Sequence, residues 1–273
     1  MTSSQYNADY LLDSDQEPLR LERQARIYGF EDDLRFMALS SDERVLDAGC
    51  GSGSITRAIA RALREGTATG LDREPKHIEF ARRKAASEGI TNIQFETGDV
   101  TKLAFPDKSF DVVWSKHLLQ WVREREQAIR EFVRVTREGG RIIACNFDLF
   151  CVCHYPEDST FQADAERWFA AARDELGFDN LLGRKLSHLF QKAGMSDITV
   201  DVIADPCFGG FGGDPEKRWN WEVQFQSVLG FSTKVFGSVQ RGEAFRDKLI
   251  ELFSRPDVYV FCPLFYVSGR VPA

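Results

Sequence analysis

The sequence predicts an α/β protein built on a parallel sheet with helices on both faces. Three observations predict it. Short apolar runs alternate with amphipathic stretches from residue 44 to residue 148, the first three strand-like runs end at or next to glycine or an acidic residue, and 273 residues with 43% hydrophobic content can bury one large core. Because consecutive parallel strands need crossover helices, this alternation indicates helices on both sides of the sheet.

The first unit is a strand, a tight turn and a helix. RVLDAG (44–49) is a short β-rich run that ends at glycine. SITRAIARALRE (54–65) places Ile55, Ile59 and Leu63 at helical spacing. The later units repeat this pattern as strand, helix, strand, strand, helix and strand, over residues 66–74, 75–89, 92–100, 109–119, 126–136 and 141–148.

The rhythm changes after residue 149. DSTFQADAERWFAAARDEL (158–176) predicts an inserted amphipathic helix, and residues 183–204 then resume the alternation of helix and strand. An aromatic-rich stretch (205–238) precedes a helix near 241–253 and a last strand, VYVFCPLFYVSG (258–269). We therefore expect one domain, 1–273, with lid insertions at 149–182 and 205–256.

Composition narrows the class of partner. The net charge is −7, so no overall basic field favours nucleic acid, although this does not exclude a local basic patch. The first residues lack the pattern of a signal peptide, and no apolar run is long enough to span a membrane. We expect a cytoplasmic protein with a small-molecule substrate and with neither a nucleic-acid nor a membrane partner; the oligomeric state stays open.

The six cysteines are too scattered for a disulfide framework, and none forms a Cys-x-x-Cys pair. We expect reduced thiols. Cys151 and Cys153 form a Cys-x-Cys that could bind a soft metal or metalloid, whereas the alternative is that both are incidental.

The turn in VLDAGCGSGSITRAIA (45–60) places Gly49, Gly51 and Gly53 at alternate positions. Such a turn at the carboxyl end of a parallel strand lets a ligand approach the main chain closely. Asp72 follows the second predicted strand and can accept hydrogen bonds from ribose hydroxyls, while Asp99 follows the third and can accept one from an adenine amino group. The pattern predicts a nucleotide-like ligand.

The glycine spacing argues against a dinucleotide. A Gly-x-Gly-x-x-Gly fingerprint would place its third glycine at position 54, where Ser54 stands. Asp47, two residues before the first glycine, would repel a pyrophosphate but attract an ammonium group, directly or through water. A cationic amino-acid portion therefore fits better than phosphates, and a dehydrogenase is disfavoured.

These residues resemble the class I S-adenosylmethionine-dependent methyltransferases, in particular the small-molecule group that includes the ubiquinone and menaquinone methyltransferases. The resemblance covers roughly residues 40–148. The motifs that carry it are VLDAGCGSG (45–53), GLDRE (70–74), TGDV (97–100), FPDKSFDVV (105–113) and RVTREGGRII (134–143).

The resemblance implies S-adenosylmethionine as cofactor, S-adenosylhomocysteine as product, and a Rossmann-like, mostly parallel sheet of seven strands whose last strand is antiparallel. It implies a cofactor-binding core at 41–148 beneath an N-terminal helical cover at 1–40. The implied contacts are Gly49, Gly51 and Gly53 for the methionine moiety, Asp72 and Arg73 for the ribose, Asp99 and Val100 for the adenine, and Ser115 to His117 beneath the sulfonium.

In the N-terminal cover, Tyr10, Arg20 and Gln24 are polar candidates for contact with the cofactor carboxylate or with the reacting groups. The alternative is an amphipathic helix that only packs on the core.

Methyl transfer from a sulfonium needs alignment more than it needs acid or base catalysis. If a base is needed, His154 and His117 are the candidate catalytic residues, with Asp148 and Tyr155 as further candidates. Each has a structural alternative, as a hydrogen-bonded core residue or a cap. No carboxylate follows the fourth strand directly, so no metal is predicted.

The acceptor is predicted from the lid composition. Aromatic residues in the lid segments favour a flat or apolar molecule, methylated on an O, N or C atom, unless these rings only pack the added helices. The aromatic residues are Trp168, Trp219, Trp221, Phe225, Phe231 and Phe236. Two alternatives remain: a catalytically silent cofactor-binding module that serves a partner, and methylation of a thiol or metalloid, suggested by Cys145, Cys151, Cys153 and Cys207.

Overall fold

The structure of the protein is a computed structural model that describes residues 14–149, 153–208 and 214–272. Within these ranges one sheet contains β1 (Arg44–Ala48), β2 (Thr67–Asp72), β3 (Ile93–Thr97), β4 (Phe110–Lys116), β5 (Thr136–Phe147), β6 (His154–Tyr155), β7 (Ser196–Phe208) and β8 (Tyr259–Arg270). The helices are α1 (Glu17–Tyr28), α2 (Glu31–Met37), α3 (Ser54–Ala62), α4 (Pro75–Ser87), α5 (Arg125–Val135), α6 (Ser159–Leu176), α7 (Leu186–Lys192), α8 (Pro215–Ser227), α9 (Leu229–Phe236) and α10 (Val239–Ser254). Two short 3-10 turns occupy Leu119–Trp121 and Gly183–Lys185.

The sheet confirms the predicted topology. Its strands lie in the order β3-β2-β1-β4-β5-β8, and β8 also pairs with β7 and β6. Strands β1 to β5 are parallel, whereas β8 runs antiparallel between β5 and β7. The order places β1 and β4 at the centre, with their carboxyl ends side by side, which is where open parallel sheets bind ligands.

The strand count differs from the predicted seven, because the described residues form eight strands. The additional strand is β6, which has two residues and pairs with Tyr259 and Val260 of β8. The pairing of β5 with β8 stops at Leu264, so the first residues of β8 are free to pair with β6 on that side.

Helices cover both faces of the sheet, as predicted. On one face Ile59 of α3 and Met37 of α2 pack with Trp114 of β4. On the other face Phe132 of α5 and Phe190 of α7 pack on the sheet. Successive side chains of the central strands point to opposite faces of the sheet, and both faces are covered by helices. These strands are therefore apolar at nearly every position, which explains the continuous apolar runs in the sequence.

The four helices that lie in the two predicted lid insertions, called the lid below, have a hydrophobic core of their own. Helices α6, α8, α9 and α10 meet around Phe161, Trp168, Phe231, Phe245 and Leu249, all of them buried. Helix α6 lies in the first predicted insertion, and α8, α9 and α10 in the second. No helix formed by the described residues combines the length and the apolar character needed to cross a membrane.

Candidate active site

The turn between β1 and α3 holds the three predicted glycines at positive φ, 81° at Gly49, 53° at Gly51 and 72° at Gly53. The backbone N–H of Gly49 donates a hydrogen bond to the carbonyl oxygen of Leu71 in β2, at 2.8 Å. A Cβ added at Gly51 would lie 2.9 Å from Cδ1 of Leu21 in α1. The turn is therefore held between β2 and α1, and its positive φ at Gly51 favours glycine over a residue with a Cβ.

Asp72, at the end of β2, fixes the same turn. Its Oδ2 accepts a hydrogen bond from the N–H of Gly51 at 2.9 Å, and its Oδ1 accepts one from the N–H of Glu74 at 2.9 Å. The Nδ1 atom of His77 lies 3.2 Å from Oδ1. A carboxylate offers about four acceptor positions, so Asp72 keeps capacity for a ligand hydroxyl after these contacts.

The loop after β3 presents Asp99 and Val100. The N–H and the hydroxyl of Thr101 both donate to Oδ1 of Asp99, each at 2.8 Å. Val100 is buried against the core on the α5 face. The carboxylate is thereby oriented by its own loop, next to an apolar side chain.

One cavity of about 1160 Å³ joins these strand ends to the lid. Pockets for drug-sized ligands are commonly about 300–1,000 Å³, so this volume suits two ligands better than one. The predicted cofactor residues that line it are Gln24, Gly49, Gly51, Asp72, Arg73, Asp99 and Val100.

The far end of the cavity is aromatic. Phe147 of β5, Trp121 and Phe178 lie at its base, and the centroids of the Trp121 and Phe178 rings are 4.2 Å apart. Of the aromatic residues predicted to contact an acceptor, Trp168, Trp221 and Phe225 line this compartment. The other three lie elsewhere: Phe231 and Phe236 in the lid core, and Trp219 beneath the guanidinium of Arg23.

His117 lies where the two ends of the cavity meet, directly after β4. It adopts φ 54°, its N–H donates to the carbonyl oxygen of Cys145 at 2.9 Å, and its ring centroid lies 5.2 Å from that of Phe147. Burial, assisted by the charge of Lys116, lowers the pKa of His117 to about 3. The imidazole is therefore neutral at physiological pH, and among the described residues its Nδ1 has no hydrogen-bond partner.

Three predicted cofactor residues do not line the cavity. Asp47 lies behind the turn, where the hydroxyl of Thr56 donates to its Oδ2 at 2.6 Å. Desolvation raises the pKa of Asp47 to about 7. Gly53 packs against α4, and Ser115 is fully buried on β4. Asp47 and Ser115 are strand residues, and adjacent strand residues point to opposite faces of a sheet, so a place in the motif does not by itself bring a side chain to the cavity.

The structure does not bring His154 to the cavity. Its Nε2 accepts a hydrogen bond from the N–H of Asp158 at 3.3 Å, and its ring meets the edge of Phe161. Asp148 is also engaged elsewhere, because the Arg184 side chain donates to both of its carboxylate oxygens. Tyr155 is 71% exposed and does not line the cavity. Of the four candidate bases, only His117 is a lining residue.

Gln120 and Trp121 line the cavity although no sequence signal singles them out. The apolar run that contains them reads as a continuation of β4, but a 3-10 turn redirects the chain at Leu119. The buried Gln120 side chain accepts a hydrogen bond from Nδ2 of Asn146. A polar amide thus joins His117 among the residues that line the cavity.

The cysteine hypothesis gains no support from the described thiols. Cys145 is buried in the sheet, and desolvation raises the pKa of its thiol to about 12. Cys151, the side chain of Cys207 and the cover residue Tyr10 lie outside what the structure describes, so the Cys-x-Cys pair stays a sequence observation.

A family model for a methyltransferase domain matches residues 39–194, more than half of the chain. An uncharacterised methyltransferase of Schizosaccharomyces pombe is 26% identical over 219 residues, which are 78% of this chain and 77% of that protein. The 27-O-demethylrifamycin SV methyltransferase of Amycolatopsis mediterranei is 35% identical over 132 residues, 48% of this chain and 46% of its own length. The chain thus spans about half the length of this second relative.

Solved structures agree on the fold. The YcgJ protein of Bacillus subtilis superposes with a TM-score of 0.59 at 18% identity, covering 88% of this chain and 97% of that one. Phosphoethanolamine N-methyltransferase 2 of Haemonchus contortus, solved with S-adenosylmethionine, gives 0.62 at 18% identity, covering 99% and 61%. The family match and the topology together confirm the resemblance read from the motifs. The chain belongs to the methyltransferase domain family, as a class I S-adenosylmethionine-dependent enzyme.

Proposed function

We propose that this enzyme methylates an O, N or C atom of a small apolar or aromatic molecule and that the acceptor lies in the aromatic compartment under the lid. The observation that carries the proposal is the continuity of the cavity, which has the glycine turn at one end and Trp168, Trp221 and Phe225 at the other. When bound, S-adenosylmethionine supplies an activated methyl group, so the chain has to bind and align two molecules.

The strand ends fit this cofactor. Gly51 lines the cavity at a positive φ, so its main chain is open to a ligand, and Asp72 has acceptor capacity for ribose hydroxyls. Asp99 has a fixed carboxylate for an amino group and lies beside the apolar Val100, which suits an adenine ring. The residues assigned to the cofactor are Gln24, Gly49, Gly51, Asp72, Arg73, Asp99 and Val100.

His117 orients the acceptor in this proposal. A group with a pKa of about 3 holds a proton weakly, so it is a poor store for a proton at neutral pH. A neutral imidazole can still accept a hydrogen bond from an acceptor O–H or N–H, and this contact would fix the direction of attack. The amide of Gln120 provides a second polar contact in the same compartment.

The names of further relatives support a small-molecule acceptor. Ajmaline N-methyltransferase of Rauvolfia serpentina is 33% identical over 100 residues, and a probable tocopherol O-methyltransferase of rice is 32% identical over 127 residues. The net charge of −7 is also unfavourable for a nucleic-acid acceptor.

The cofactor assignment is tested by titrating the protein with S-adenosylhomocysteine in a calorimeter, with NAD as the control ligand. Asp72→Ala should weaken binding by about 1–3 kcal/mol, because it removes charge-assisted hydrogen bonds and loosens Gly51. Asp42→Ala, an exposed carboxylate that does not line the cavity, should bind as the wild type does. Unchanged affinity in Asp72→Ala would contradict the ribose assignment.

The acceptor assignment is tested by measuring release of S-adenosylhomocysteine with a panel of neutral hydroxy- and aminoarenes. With any acceptor found, His117→Ala should reduce kcat by about 10²-fold through loss of alignment. His154→Ala should leave kcat unchanged in the folded protein. Activity restricted to short charged acids would refute the apolar acceptor.

A further inference from the structure

Helix α1 carries a buried polar network that reaches the lid. The guanidinium of Arg20, a residue only 2% exposed, donates to both carboxylate oxygens of Glu17, at 2.7 and 2.6 Å. It also donates to Oδ1 of Asn220 at 3.0 Å and reaches Oε1 of Gln224 at 3.4 Å, and both of these residues belong to α8. The side-chain oxygens of Asn220 and Gln224 thus accept from a guanidinium whose charge is already paired with Glu17 within α1.

A second network joins the same helix to the glycine turn. Glu22 of α1 accepts a hydrogen bond from the hydroxyl of Ser54 at 2.6 Å and pairs with Arg57 at 2.8 Å. Ser54 lies 2.8 Å from the hydroxyl of Ser52, and the Arg57 guanidinium donates to the carbonyl oxygen of Ser52 at 3.1 Å. Glu22 and Arg57 are buried, so a movement of α1 away from the turn would strand charges in the interior.

Both networks lie next to the cavity. Between Glu17 and Gln24 the helix also places Leu21 against Gly51, and Arg20, Leu21 and Gln24 are lining residues. On the other side, α8 contributes Trp221 and Phe225 to the aromatic compartment. One twelve-residue helix therefore touches the proposed cofactor site and holds a wall of the proposed acceptor site.

We propose that Arg20 and Glu22 are positioning residues that make α1 a strut between the two sites. Glu22 fixes the strut to the glycine turn, and Arg20 fixes α8 to the strut. Cofactor occupancy thereby helps to hold Trp221 and Phe225 in place over the acceptor, so the two sites are coupled through α1. This inference rests on the proposed cofactor site, and it adds a coupling between the two sites that the cofactor site alone does not require.

Amide hydrogen exchange of the full chain, with and without S-adenosylhomocysteine, tests the strut. The ligand should slow exchange across α8 by about fivefold or more, within the usual range of coupling between sites. Asn220→Leu removes the shorter of the two contacts from Arg20 to α8 while Glu17 still pairs the charge, so the slowing should be clearly smaller although the ligand still binds. Asn220→Asp keeps an acceptor oxygen and should restore it.

Arg218→Ala is the matched control, because the exposed Arg218 of α8 is bonded to Glu222 of the same helix. This variant should keep the full effect of the ligand on α8. Ligand binding without slower exchange in α8, or full slowing in Asn220→Leu, would overturn the strut and leave the proposed function intact. Absence of ligand binding in the wild type would instead refute the cofactor site itself.

Discussion

Gly53→Ala gives the sharpest test of how the glycine turn is packed. Gly53 adopts φ 72°, and an added Cβ would lie 2.7 Å from Cβ of Ala81 and 2.7 Å from Cε1 of Phe95. Both neighbours are buried, Ala81 on α4 and Phe95 on β3, so neither can swing into solvent. The sequence predicts a cofactor contact here, whereas the structure indicates a packing role.

Two costs add in this variant. Placing a residue with a Cβ in the left-handed region costs roughly 1–2 kcal/mol. Forcing one methyl group into a filled core costs about 1–3 kcal/mol more. The free energy of unfolding should therefore fall by about 2–5 kcal/mol.

Urea unfolding followed by tryptophan fluorescence measures the loss, and Gly89→Ala is the matched control. Gly89 has φ 67°, but nothing lies within 4 Å of its added Cβ. The control should therefore lose only about 1–2 kcal/mol, from backbone strain. Equal losses in the two variants would refute close packing at Gly53, and weaker S-adenosylhomocysteine binding at unchanged stability would restore the cofactor role.

Three further predictions concern buried ionisable side chains. Arg57→Ala leaves Glu22 buried without its cationic partner, with only the hydroxyl of Ser54 still donating to it. The variant should lose about 3–5 kcal/mol of unfolding free energy in urea, whereas a loss of less than 1 kcal/mol would show that the pair is solvated. The pKa of Asp47 is raised to about 7 in the folded protein, so burying its carboxyl group costs increasing folding free energy between about pH 4 and pH 7. The gain in the free energy of unfolding from Asp47→Asn should therefore increase over that window and then level off. A gain that does not depend on pH would contradict the burial of Asp47. The pKa of His117 is lowered to about 3 in the folded protein, so its contribution to stability is lost as the pH falls below about 6.5, where the unfolded chain takes up a proton and the folded one does not. Between pH 7 and pH 5 the free energy of unfolding of the wild type should fall by about 1–2 kcal/mol more than that of His117→Asn. Equal losses in the two proteins would place the ring in solvent.

The strand-end residues that line the cavity could be predicted because their signals are local. A strand, a glycine turn and a helix place Gly51 at a strand end, and Asp72 and Asp99 follow the next two strands. The exceptions have a geometric cause. Asp47 and Gly53 belong to the same motif, but the motif does not reveal which residues face the ligand and which face the core.

The acceptor end could not be predicted to the same depth, because long-range packing builds it. His154 follows β5 closely in sequence and, as part of β6, pairs with Val260, yet its own side chain packs against Phe161 and does not line the cavity. Helices α8 and α9 are not apparent from the sequence either. One side of α8 meets Arg20 and the other meets the lid core, so its apolar residues do not form a single stripe.

The position of β8 has a consequence for synthesis of the protein. This strand fills the space between β5 and β7, although both are translated before it. Until Tyr259–Arg270 leaves the ribosome, the nascent chain carries the unpaired edge of β5 while the whole lid is being made. Closing the sheet is thus a late step between segments that are distant in sequence, and the exposed edge is open to incorrect strand pairing until then.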